Sequence, residues 1–534
     1  MRRELMLFAV LAGCARAATP APEPAAGSPS AMPAAAAAPS APGAAGAIAA
    51  EGLRRDLFVF ASDSFMGRET GSEGSRMAAR FIADRLRAAG VEPAGDSGTY
   101  FQRVPLTRTA ILPSSSIRLT RDGSAQTIPI GAEGLVPLLS LGPGAPLPKL
   151  QASGDVVFAG YGMTTDGRND LASLDVRNKI VVYVHGAPAS ADSATRQRLS
   201  SGATIGERLG ALVPRGPAAI VMLTTGELAE EFDALASQLT AGMRLGAPEV
   251  EQPRQLPMVL IGVAADQSSM LPAGFPTNDA PGALPATFEA SLAVEQQPVD
   301  AHNVVGMVRG SDPALRDSYV AIGAHLDHIG IQTPVNGDSI ANGADDDGSG
   351  SMGVLHVAES WARNITKPKR SALFVWHTGE EKGLFGSEWF TDHPPVPIDS
   401  VVAQLNADMI GRNHADSLYI VGPEAAPQQQ SVVVGAIVDS VNATLARPFA
   451  FNREWDSPTH PERIYFRSDH FSYASKGIPI VFFTTGLHDD YHKVSDEPDK
   501  IEYDKLARVS TLLLRVGEAI ANRETRPVPE GAVP

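Results

Sequence analysis

Between residues 318 and 377 the chain reads SYVAIGA at 318–324, GSMGVLHVAESWARN at 350–364 and SALFVWH at 371–377. The first and third runs are short and apolar without alternation, as strands buried on both faces are, while the second is apolar at helical spacing. The rhythm continues through VVAQLNADM at 401–409, a helical pattern over 429–446, IPIVFFTTG at 478–486 and a last helix after Ile501. This alternation predicts an α/β fold: a mixed, mainly parallel sheet sandwiched by helices.

In open α/β sheets, ligands collect beyond the carboxyl ends of the strands. Metal-ligating residue types recur there. The run at 318–324 leads to His325 and Asp327, that at 371–377 to Glu380 and Glu381, that at 401–407 to Asp408, and that at 478–486 to Tyr491 and His492. Imidazole and carboxylate without thiolate is the donor set of a hydrolytic zinc site. Two metals sharing a carboxylate would activate one water and clamp a tetrahedral intermediate. Asp346 is the candidate bridge.

The segments GAHLDHIG (323–330), NGADDDGSGSMGVLHVAE (342–359), HTGEEKGLFGSEWF (377–390), LNADMIG (405–411) and DYHKVSDEPDKI (490–501) resemble the di-zinc aminopeptidases of metallopeptidase family twenty-eight, in order and spacing. The resemblance implies the zinc exopeptidase fold and two Zn²⁺ ions per chain. His325 and Asp408 would bind one ion, Glu381 and His492 the other, and Asp346 both. It makes Glu380 the general base and Tyr491 the donor to the developing oxyanion. Asp327 would fix the tautomer of a ligand histidine. A cis peptide is expected between Asp346 and Asp347. The substrates implied are peptides cleaved at their N-termini. The resemblance also admits carboxypeptidase, dipeptidase or single-zinc glutaminyl cyclase activity, and a receptor-like lipoprotein without activity.

The segment from Asp56 onward resembles the family's N-terminal part, with apolar positions at helical spacing from Leu53 to Ala89 that predict one long amphipathic helix capped by Gly90. Between about 135 and 295 the texture becomes short β-rich runs separated by Gly and Pro, including GDVVFAGYGM and KIVVYVHGAP. This region reads as an insertion and resembles a protease-associated (PA) domain. The expected parts are therefore 51–134 and 296–527 for the peptidase domain, 135–295 for the insertion and 528–534 for a tail.

Residues 1–17 have the positive start, short apolar stretch and small residues of a secretory signal. LAGC at 11–14 resembles the bacterial lipobox, which would lipidate Cys14, the chain's single cysteine. The competing reading is cleavage after Ala17 and secretion. Export is expected either way, to the periplasm or to an outer-membrane anchor, with no role for disulfides. The Ala/Pro/Gly/Ser-rich stretch 18–50 reads as a tether.

Acidic residues outnumber basic ones by 60 to 44, a net charge of −16 that opposes nucleic-acid binding. No apolar run reaches the roughly eighteen residues needed to span a bilayer, so a membrane enters only through the anchor. Gly348–Gly353 matches a dinucleotide-loop pattern, but the three aspartates before it would repel a pyrophosphate. Those aspartates lack the spacing of an EF-hand, and no G-x-S-x-G elbow stands out. His328, His377, His470 and His488 fall near the motifs but off the family's ligand positions, so each is expected to be a neighbour. His356, mid-helix in an apolar pattern, is expected to pack.

Overall fold

The computed structural model describes residues 47–528 apart from 140–147, 165–166, 201–203, 231, 233–235, 237–240, 247–255, 424–430, 458–459 and 461. The signal sequence, the lipobox with Cys14 and nearly all of the tether and tail lie outside the described residues. The described chain divides into two compact units, one containing Pro105–Val299 and the other residues 47–104 with 300–528.

The sheet of the second unit runs in the order Ala450–Asn452, Ser417–Val421, Ile480–Thr484, Val401–Ala407, Tyr319–His325, Ser371–His377, Val294–Val308. Its centre is parallel: Tyr319–His325 pairs in parallel with both Ser371–His377 and Val401–Ala407, which pairs in parallel with Ile480–Thr484. The flanking pairs are antiparallel. Every residue of the four central strands is buried, as their unbroken apolar runs require. The apolar core on one side gathers Leu57, Ile82, Trp361 and Leu513 from four helices against Ile322, Phe374 and Leu405 of the sheet. That on the other gathers Phe390 and Tyr473 against Ala321, Leu373 and Phe482.

The single long helix expected over Leu53–Ala89 is two, Ala50–Phe60 and Glu73–Ala89. Between them Met66, Gly67 and Arg68 adopt left-handed backbone angles, and the buried Arg68 guanidinium donates to the carbonyls of Leu326, Asn342 and Gly343. Those three bonds require the chain to leave the helix. Gly90 caps the second helix at φ 76°, as expected. The pattern over 429–446 forms a helix at Val432–Asn442, and the last helix is Tyr503–Ala521.

The other unit carries its own mixed sheet, in the order Ser124–Ile128, Ser116–Arg121, Gly282–Ser291, Gln151–Phe158, Ile180–His185, Ala219–Thr224, Met258–Val263, Leu135–Pro137. Its boundary differs from the expected one. Ser116–Arg121 pairs with Gly282–Ser291 along its whole length, so residues 105–134 belong with the insertion and not with the peptidase domain.

Candidate metal centre

Parallel pairing puts His325 level with His377 at the carboxyl ends of adjacent strands, and Gly323 level with Asn406, two residues before Asp408. The loops that follow these ends carry the remaining groups. His325, Asp346 and Asp408 offer one atom each within 4.8 Å of one another, and so do His328, Asp346 and Glu381. His325 Nε2 lies 3.3 Å from Asp346 Oδ1 and 3.5 Å from Asp408 Oδ1. His492 Nε2 lies 3.1 Å from Asp346 Oδ2 and 3.0 Å from Glu381 Oε2. The two oxygens of Asp346 thus face different imidazoles.

These spacings test whether the residues fit a metal. Two ligands about 2.1 Å from one zinc at tetrahedral angles hold their donor atoms about 3.4 Å apart. The four pairs bracket that value. The donors are nitrogen and oxygen alone, the set zinc takes in hydrolytic sites, and Glu380 stands nearby with Oε2 3.9 Å from His325 Nε2.

The protonation tendencies agree with the fit. Burial alone would keep His325 neutral, yet the charges of Glu380 and Asp408 overcome it and raise its proton affinity well above the ordinary imidazole range. Burial lifts the Glu380 carboxyl well above its usual range despite the opposing His325, and Glu381 and Asp408 add to the rise. Asp346 goes the other way: burial would raise it, but hydrogen bonds from His325 and His492 hold it well below. Acidic groups gathered in a dry space are stable only with cations among them.

The loop at Asp345–Asp347 is held from several sides. The Asp346–Asp347 peptide is cis, as the resemblance implied. Asp347 accepts the backbone N–H groups of His325, Gly350 and Met409 at 3.0, 2.9 and 3.2 Å. Asp496 accepts those of Asp345 and Asp346 at 3.0 and 3.1 Å. Ser468 donates to Asp408 Oδ2 at 2.7 Å and itself accepts from Asn406 at 2.8 Å.

Asp327 is buried beside the cluster, but its carboxylate does not hold the histidine. His325 Nδ1–H donates to the main-chain carbonyl of Asp327 at 3.1 Å, which aims Nε2 at the acids. The carboxylate instead accepts from Thr70 at 2.7 Å and from the Glu380 backbone N–H at 3.3 Å. Only Leu326 separates His325 from Asp327, and it is the Asp327 main-chain carbonyl that comes within reach of Nδ1. Tyr491 stacks on His492 with ring centroids 3.9 Å apart, accepts from Arg467 at 3.3 Å, and has its phenol pushed up to about 12 by burial. Beside them Met409, Trp455, Ile464, Phe482 and Leu487 line an apolar pocket that Asp346, Glu380 and Asp408 also border.

Residues 303–517, which include His325, Asp346, Glu381, Asp408 and His492, match peptidase family M28. They form an M28 peptidase domain. Probable leucine aminopeptidase 1 of Trichophyton verrucosum is 30% identical over 224 residues, 40% of this chain and 56% of its own length. Leucine aminopeptidase 1 of Penicillium rubens is 32% identical over 204 residues, 36% of this chain and 49% of its own. The chain therefore spans about half the length of these relatives. The aminopeptidase from Aneurinibacillus sp. strain AM-1 shares the fold, with a TM-score of 0.55 at 17% identity over 91% of this chain and 97% of that one.

Within the M28 domain, three of the four neighbouring histidines are engaged elsewhere. His377 meets the Tyr473 hydroxyl at 3.2 Å, His470 donates to the Tyr465 carbonyl at 2.9 Å, and His488 pairs with Asp345 at 3.2 Å. His328 is the exception and reaches Glu381. The sequence reading also missed Arg68, Asp347, Ser468 and Asp496. Asp347 and Asp496 left a signal, since one sits inside the aspartate run and the other inside the segment 490–501; Arg68 and Ser468 act on groups remote from them along the chain.

Proposed function

We propose that this chain is an exported di-zinc aminopeptidase that removes N-terminal residues from peptides. The observation that carries the reading is the shared carboxylate: Asp346 presents one oxygen to His325 and the other to His492. In this reading His325 and Asp408 would hold one zinc, Glu381 and His492 the second, and Asp346 would contribute an oxygen to each. Bound there, zinc would supply Lewis acidity.

The chain's own residues do the rest. Glu380, beside His325 and with its backbone N–H held by Asp327, takes the proton of the attacking water at its carboxylate and returns it to the leaving nitrogen. The Tyr491 hydroxyl, kept protonated by burial, donates to the oxygen on which negative charge develops. The acids around the cleft anchor the substrate's free α-amine, and the apolar pocket receives its side chain. Export rests on the secretory pattern of residues 1–17, with Cys14 the lipidated residue, and the insertion is read as a PA domain. No helix among the described residues is long and apolar enough to cross a membrane.

The test is hydrolysis of aminoacyl-nitroanilides and short peptides by the zinc-loaded chain. Cleavage of substrates with a free amine, and none once that amine is acetylated, is expected. Cleavage that instead requires a free C-terminal carboxylate would make the chain a carboxypeptidase, and inertness toward the whole panel would remove the peptidase reading.

A further inference from the structure

His328 stands beside a cluster that already has its imidazole. It is fully buried, its ring meets that of His492 edge-on at 5.8 Å, and its Nδ1 lies 2.7 Å from Glu381 Oε1 and 3.8 Å from Asp346 Oδ2. These two distances separate it from the ligands. The pairs formed by His325 and His492 span 3.0–3.5 Å, the edge of a polyhedron around one cation. The shorter contact, with Glu381, is a hydrogen bond, and in the longer one Asp346 lies beyond that edge.

We infer that His328 is a positioning residue that holds Glu381 through an Nδ1–H···Oε1 bond, so that Oε2 alone turns to the second metal position. The assignment rests on the two-zinc reading above. Oε2 is the oxygen 3.0 Å from His492 Nε2, which leaves each Glu381 oxygen a separate task. The ring is locked from behind by Gly343, at φ 57°, where a Cβ would fall 2.5 Å from His328 Cδ2 and 2.6 Å from Cγ. The Gly343 carbonyl is fastened by Arg68 at 2.9 Å, and the His328 N–H donates to the Arg68 carbonyl at 3.3 Å. His328 Nε2 is buried with no hydrogen-bond partner among the described residues, so the bond to Glu381 is the ring's polar anchor. A donor on a ligating carboxylate selects its orientation and charge distribution, and such partners carry about 10–100-fold in metal affinity.

The full chain, stripped of metal by a chelator, is titrated with cobalt(II) and followed by heat and by visible absorption. Wild type is expected to take up two ions. His328→Leu should bind one of them about 10–100-fold more weakly and the other unchanged, while His328→Asn, whose amide nitrogen can stand in for Nδ1–H, recovers most of the loss. Unchanged affinities and absorption in His328→Leu overturn the assignment, as does a metal-loaded structure with a cation bonded to His328. If His328→Leu does not fold, His328→Asp, which replaces the donor by an acceptor, reads the same bond, and wild-type affinity in that variant overturns it. Uptake of fewer than two ions by the wild type would instead overturn the two-metal reading, an outcome independent of peptidase activity.

Discussion

Asp346 can serve two partners because a carboxylate has two oxygens about 2.2 Å apart, each with its own lone pairs, and here each faces a different histidine. Glu380 and Glu381, adjacent in sequence, are divided in the same way: one approaches His325, the other His492. Replacing Glu380 by Gln keeps the shape and removes the proton acceptor, so kcat should fall about 10²–10⁴-fold while elemental analysis finds the same zinc. An equal loss of zinc would mean that Glu380 is a ligand. Tyr491→Phe removes one donor to a developing charge; kcat should fall about 10²–10³-fold with KM little changed, read from steady-state kinetics. The five candidate ligands were legible because their residue types fall at strand ends in a known order. Ser468 and Arg68 were not, because a serine or an arginine that braces a loop through a hydrogen bond has no period and no neighbour to announce it.

Helices around the sheet are fastened by a charged cluster that also escapes a pattern search. Asp56 of the first helix pairs with Arg85 of the second at 2.8 Å and accepts from His356 of the Gly350–Arg363 helix at 2.8 Å, and Arg85 reaches Glu359 at 2.6 Å. His356, expected to pack, is partly buried and bonded. Burial would raise the Asp56 carboxyl, but the hydrogen bond from His356 and the charge of Arg85 outweigh it and hold it well below the usual range. A depressed folded pKa stabilises above the unfolded value of about 3.9 and is lost as pH falls through the folded value. Asp56→Asn should therefore be less stable than wild type at pH 7, with the difference shrinking as pH drops from 5 toward 2, measured by urea unfolding. A difference that does not change with pH would remove the charge argument. The buried strands were plain in the sequence, since an unbroken apolar run has one good use in a sheet. The break between Phe60 and Glu73 was hidden, because the apolar spacing continues across it and only the carbonyls captured by Arg68 reveal it.

Each of the two units has separate apolar cores, one set built around Ile322, Trp361 and Leu373 and the other around Val182, Val221 and Tyr183. All five candidate ligands belong to the first. A ligand that binds only the folded state at a hundred times its dissociation constant stabilises by about 2.7 kcal/mol. Calorimetry should show zinc raising the transition of the catalytic unit and leaving that of the insertion in place, with the shift reversed by a chelator; equal shifts of both would contradict this localisation. The insertion itself was visible as a change of texture, but its edge was not. Ser116–Arg121 and Ser124–Ile128 look like any strands, and their allegiance is decided by the pairing of Ser116–Arg121 with Gly282–Ser291, far downstream in the chain. The measurement closest to the central claim is anomalous diffraction at the zinc edge from crystals of the zinc-loaded chain. Two peaks are predicted, both about 2.0–2.2 Å from an Asp346 oxygen, one also touching His325 and Asp408 and the other Glu381 and His492. A single peak, or peaks that Asp346 does not touch, would contradict the account.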